Sequence, residues 1–180
     1  MKKHRIYMLI ASVLIAVLCL SSCTMGNMFL FHVIPFEESF QMNISTDTLE
    51  QEKLSFAHFS NVLIIPEIKD YGHDQHCVYI CAWSKGEEES FQVESVKIMY
   101  EDKVFFQMDA ADSDAVVTLN QQENGMFFGY ITAGYFDNDD IPIKHKTLIT
   151  MKITVSRGEE TKNIDYDIEI KEYHRAILPT

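Results

Sequence analysis

The stretch "GHDQHCVYIC" sets His73, His76, Cys77 and Cys81 within nine positions. Imidazole and thiolate are ligands for zinc or copper. The spacing fits no closed zinc motif. If residues 76–84 form a strand, Cys77 and Cys81 share one face about 13 Å apart. One small metal ion cannot bridge that gap, and a disulfide needs Cα atoms within about 7 Å. The expectation is two buried free thiols that pack as small apolar residues. His73, His76 and Cys77 remain the metal candidates, and a disulfide requires the strand reading to fail.

Carboxylates are the second group. "KGEEES", "DAADSD" and "DNDDIP" carry Glu87, Glu88, Glu89, Asp109, Asp112, Asp114, Asp137, Asp139 and Asp140. Asp137-Asn138-Asp139-Asp140 resembles the start of a calcium loop. Pro142 at the sixth place and Leu148 at the twelfth exclude an EF-hand. The sequence has no G-x-S-x-G elbow, no phosphate-binding glycine loop and no H-E-x-x-H helix. A non-enzymatic binding role is expected, with an envelope enzyme lacking any recognisable motif as the alternative.

The elements that must hold these residues are strands. Ile164, Tyr166, Ile168 and Ile170 alternate with Asp165, Asp167 and Glu169, and Ile149, Met151, Ile153 and Val155 alternate with Thr150, Lys152 and Thr154. A period of two marks half-buried strands. The turn "SRGEETK" between them predicts an antiparallel hairpin with Lys152 opposite Asp165 or Asp167. Residues 76–84 are apolar on both faces, as in a central strand. In residues 91–100 the apolar parity switches, which predicts a bulge near Ser95. Residues 104–108, 115–120 and 126–136 complete seven strands, with Asn124-Gly125 as a turn. One to three more are expected in residues 29–65, a short helix over 48–59 capped by Thr48, and an exposed loop over 69–75. The fold class is all-β, an antiparallel β-sandwich of immunoglobulin-like architecture.

If those seven strands alternate in direction, the three acidic segments fall at one end of the sandwich. Their nine carboxylates would form a patch for a cation or a basic partner. Calcium is the one cofactor this pattern allows.

Lys2, Lys3 and Arg5 precede an apolar run from Ile6 to Leu20. That run is shorter than the roughly 20 residues of a membrane span. Basic head and short apolar core form the pattern of a signal peptide. It ends in Leu20-Ser21-Ser22-Cys23, which resembles the lipobox of bacterial lipoproteins. The resemblance covers the first 23 residues. It implies cleavage after residue 22 and acylation of Cys23 with fatty chains such as palmitate, so that lipid holds the chain on a membrane. Several acyl chains anchor firmly where one does not. Thr24 stands where an Asp would signal inner-membrane retention. The expected location is the bacterial cell envelope, at the outer membrane in a Gram-negative host.

The division expected is signal peptide 1–22, lipidated N-terminus and short tether 23–28, and a single sandwich domain 29–180. Loss of residues 1–22 removes three basic residues and no acidic ones, leaving 12 basic against 27 acidic and a net charge of −15. That charge repels nucleic acid and excludes it as a partner. The functional expectation is a membrane-anchored accessory module, an adaptor or inhibitor with an envelope protein as partner. A divalent-cation-dependent module using the acidic loops is the alternative.

Overall fold

Alternation is strictest near the C-terminus, and the C-terminal hairpin follows it residue for residue. In the computed structural model, β10 (Thr147–Arg157) pairs antiparallel with β11 (Glu160–Ile177), and Lys152 stands opposite Asp165. Every second residue from Ile149 to Val155 and from Ile164 to Ile170 is buried. The structure describes residues 24–34, 44, 46–72, 75–86, 89–110, 115–140 and 147–177.

The remaining strands are β1 (Thr24–Ile34), β2 (His58–Phe59), β3 (Val62–Gly72), β4 (Gln75–Ser84), β5 (Ser90–Tyr100), β6 (Lys103–Asp109), β7 (Val116–Thr118), β8 (Asn120–Gln121) and β9 (Phe127–Asp137). They form two sheets. The first runs β1-β11-β10-β5-β6, with β7 also on β5, and the second runs β2-β3-β4-β9-β8. The fold is an all-β antiparallel sandwich. Contacts divide the chain into two units: residues 30–171, and residues 1–29 with 172–180. Of the second unit, strand residues 24–29 and 172–177 are described.

The parity switch in β5 has its cause in the ladder. Ser95 pairs with Thr154 and Val93 with Val155, so Glu94 is the extra residue. Phe91 and Val93 before it, and Val96 and Ile98 after it, therefore all reach the core. The expected helix over 48–59 is instead one helical turn (Thr46–Leu49) and a 3₁₀ segment (Glu52–Ala57) leading into β2. Gln51, extended at φ −67° and ψ 120°, separates the two. Residues 69–72, expected as loop, continue β3. Pro66 sits inside that strand, where β2 covers only Val62 and Leu63. Its missing N–H therefore falls on an open edge, where proline is tolerated.

Between the sheets, the inner rows are Ile64 and Ile68 of β3, and Val78, Ile80 and Ala82 of β4, against the buried residues of β5, β10 and β11. Gly129 marks the closest approach. A Cβ there would lie 2.3 Å from the Thr118 carbonyl oxygen, so only glycine lets β9 pass under β7. Phe136 gathers the rings of Phe31, His76, Phe105 and Phe106 at centroid distances of 5.2–5.9 Å.

Tyr166 links the two sheets directly. Its hydroxyl donates to the Ile64 carbonyl oxygen. Burial pushes its ionisation well above the ordinary range. The folded chain thus keeps a proton that an unfolded tyrosine releases near pH 10. Stability from this group is full below that pH and is lost as pH rises further. Tyr166→Phe is expected to shrink the alkaline decline, while lowering neutral-pH stability by about 1 kcal/mol through the lost hydrogen bond. Denaturant unfolding at about pH 8 and about pH 11 checks both signs.

Candidate functional site

The outward side of β3, β4 and β9 is the most chemically distinctive surface among the described residues. Strand alternation builds it. Inward-facing residues of β4 have even numbers, so Cys77, Tyr79, Cys81 and Trp83 face out. The ladders place neighbours beside each: Lys69 and Tyr135 flank Cys77, Glu67 and Thr132 flank Tyr79, Ile65 and Tyr130 flank Cys81, and Leu63 and Phe128 flank Trp83. Tyr71 joins the end of this array, 5.3 Å from the Tyr135 ring.

The face has two parts. Leu63, Ile65, Cys77, Cys81 and Trp83 are buried although they face away from the sandwich core. Trp83 packs on Phe128 at 5.1 Å, and Phe128 stacks on Tyr130 at 5.9 Å. Lys85 reaches Glu50 at 2.5 Å, tying the segment after the first helical turn to the end of β4. Toward the β3–β4 turn the face opens. Tyr71, Tyr130 and Tyr135 are 63%, 54% and 48% exposed. Tyr79 lies between them, 6.0 Å from the Tyr130 ring.

Charge on the open part is balanced. The Lys69 ammonium lies 5.7 Å from the centre of the Tyr79 ring and 3.1 Å from Glu67. Hydrogen bonding to the Cys77 side chain, with burial and the nearby Cys77, Tyr135 and Tyr71 groups, pushes the Tyr79 hydroxyl up to about 12. Cys77, followed by burial, also raises Tyr135. Both phenols stay protonated near neutral pH and offer a donor as well as an acceptor.

Cys77 and Cys81 are buried free thiols. Burial pushes Cys81 up to about 12. Since the thiolate is the reactive form, Cys81 is inert near neutral pH. Mass-spectrometric mapping of alkylated peptides is expected to find both cysteines unmodified in the folded chain. After denaturation without reductant both should react fully. A requirement for reductant would reveal a disulfide.

The other residues singled out by sequence disperse. His76 is buried between the rings of Phe31 and Phe136. His73, Glu87, Glu88, Asp112 and Asp114 lie outside the described residues, as does Cys23. Among the described residues no three His, Cys, Asp or Glu side chains are grouped to hold a metal ion, and no helix is long and apolar enough to cross a membrane.

The described acids are not at one end. Ser84 pairs with Phe127 and Gln75 with Asp137, so Glu89 follows one end of the β4–β9 ladder and Asp137 to Asp140 follow the other. Those ends are about 30 Å apart. Asp109 lies opposite Ser95, midway along β5. The alternation of strand direction breaks at one place. β6 and β7 both pair antiparallel with β5, so the chain does not reverse direction between them. Glu89 is also engaged, 2.7 Å from Arg157, whose other amine donates to the Ser60 hydroxyl at 2.6 Å.

No family model, curated protein or solved structure matches this chain. The tyrosine face is therefore read from its own geometry. Sequence reasoning missed it because β9 changes parity: Val78 pairs with Gly134 and Tyr79 with Thr132, leaving Ala133 as an extra residue. Tyr130 and Tyr135 are five positions apart, which an unbroken strand would put on opposite faces. The available signal was "GYITAGY", where Gly134 can mark a bulge.

Proposed function

We propose that the protein is a lipid-anchored lipoprotein of the bacterial cell envelope, and that its sandwich is a binding module working through the outer face of β3, β4 and β9. The anchor reading rests on Leu20-Ser21-Ser22-Cys23. The binding reading rests on one observation: three tyrosine rings, about half or more exposed, stand on strands of one sheet face. Tyrosine supplies a large apolar contact with a polar tip at small entropic cost, the chemistry of interaction hot spots. Strands hold such rings more firmly than loops do, which lowers the ordering cost of binding.

A photoreactive phenylalanine analogue tests this reading in living cells. Placed at Tyr130, it is expected to yield a defined adduct. Placed at Val116, which is exposed on β7 in the other sheet, it should yield none. Equal or absent adduct formation at both positions would defeat the assignment of the face.

A further inference from the structure

We infer that the occupant of this face is an uncharged glycan chain of gluco-configured sugars, packed along the exposed rings of Tyr71, Tyr135 and Tyr130. The inference rests on the binding reading of the face and replaces the envelope protein expected from sequence as the primary occupant.

The exposed apolar groups are of one kind. Among the described residues, the large apolar groups exposed on the open part of the face are tyrosine rings, while Leu63, Ile65, Cys77 and Cys81 are closed off. A surface meant for hydrocarbon carries Leu and Phe on its apolar side. Here each apolar ring carries its own hydroxyl. A gluco-configured sugar has the same two-part character. Its ring substituents are equatorial, so both faces present axial C–H bonds, and hydroxyls line the rim.

Electrostatics favours the same occupant. The negative face of an aromatic ring attracts positively polarised groups. Sugar C–H bonds are polarised that way by the adjoining oxygens. Lys69 over Tyr79 shows the same attraction within the protein. Among the described residues of the open part, Lys69 is paired with Glu67, and the whole chain has a net charge of −12. A chain of that net charge repels an anionic polymer, whereas Glu67, Lys69, Thr132 and the phenols can hydrogen-bond an uncharged one.

The extent of the face favours a chain over a single sugar. Tyr135 stands beside Cys77 and Tyr130 beside Cys81, four residues apart on β4, or about 13 Å. With Tyr71 beyond Tyr135, the platform is longer than one sugar ring. A chain fits it, and a monosaccharide leaves most of it bare.

The test uses the full-length protein in a zwitterionic, sugar-free detergent, titrated calorimetrically with chitohexaose and cellohexaose. Binding of either hexasaccharide is expected. It should weaken roughly tenfold or more in Tyr130→Ala and in a Tyr71→Ala/Tyr135→Ala double variant, and stay within a fewfold in Tyr130→Phe, because the stacking surface persists. Val116→Ala should bind as the unchanged protein does. Absence of binding to both hexasaccharides up to millimolar concentration, or binding insensitive to the tyrosine changes, overturns the inference. A photo-adduct from position 130 that consists only of protein also overturns it, yet leaves the face as the binding surface. Absence of any adduct from that position removes the face itself.

Discussion

A Cys23→Ser chain is expected to carry no lipid and to leave the membrane fraction entirely. The lipobox reading makes the Cys23 thiol the sole acceptor of the diacylglyceryl group, and a serine hydroxyl does not replace it. The effect is all-or-none, because two or more acyl chains hold a protein firmly and removal of all of them removes the whole anchoring energy. Metabolic labelling with a fatty-acid probe, followed by fractionation, reads both consequences. A Cys19→Ser chain should label as the natural sequence does, since Cys19 lies in the segment to be cleaved away. Persistent labelling and membrane retention of the Cys23→Ser chain would refute the anchor.

The second large effect lies in the core. Ile153→Ala and Ile168→Ala are each expected to lower stability by about 2–5 kcal/mol, through lost burial and the cavity left behind. Both side chains are fully buried, Ile153 opposite Ile164 and Ile168 opposite Ile149. Asp167, opposite Thr150 on the exposed side, should cost under about 1 kcal/mol when replaced by Ala. Denaturation midpoints at constant slope check the order. The reverse order would mean a register slipped by one residue.

The C-terminal hairpin was legible because its two faces differ in polarity at every step, so one register alone buries all the isoleucines. The β5 bulge was legible for the same reason: the parity switch between Val93 and Val96 had to be absorbed somewhere. Residues 76–84 also read correctly as a central strand, since β4 lies between β3 and β9. What failed depended on long-range pairing. Ala115 to Asn120 reads as one strand, yet β7 pairs with β5 in one sheet and β8 with β9 in the other. Nothing local distinguishes that crossing from a continuous strand, or shows that β6 and β7 run the same way along β5. The acidic grouping inherited this error. The tyrosine face was hidden differently. Its rings come from β3, β4 and β9, and the extra Ala133 breaks the alternation that would have aligned two of them.

Assignment of the outer face of β3, β4 and β9 as the working surface is the central claim, and its occupancy in the envelope is directly measurable. Thr132→Cys places a thiol beside Tyr79 on this face, and Val116→Cys places one on β7 of the other sheet. The buried Cys77 and Cys81 leave these introduced thiols as the reactive ones. Maleimide labelling rates are then compared between native envelope vesicles and the purified, detergent-solubilised protein. The account predicts that the thiol at position 132 reacts roughly tenfold or more slowly in the envelope, while the thiol at position 116 reacts equally in both. Equal rates at position 132 in the two settings would contradict it.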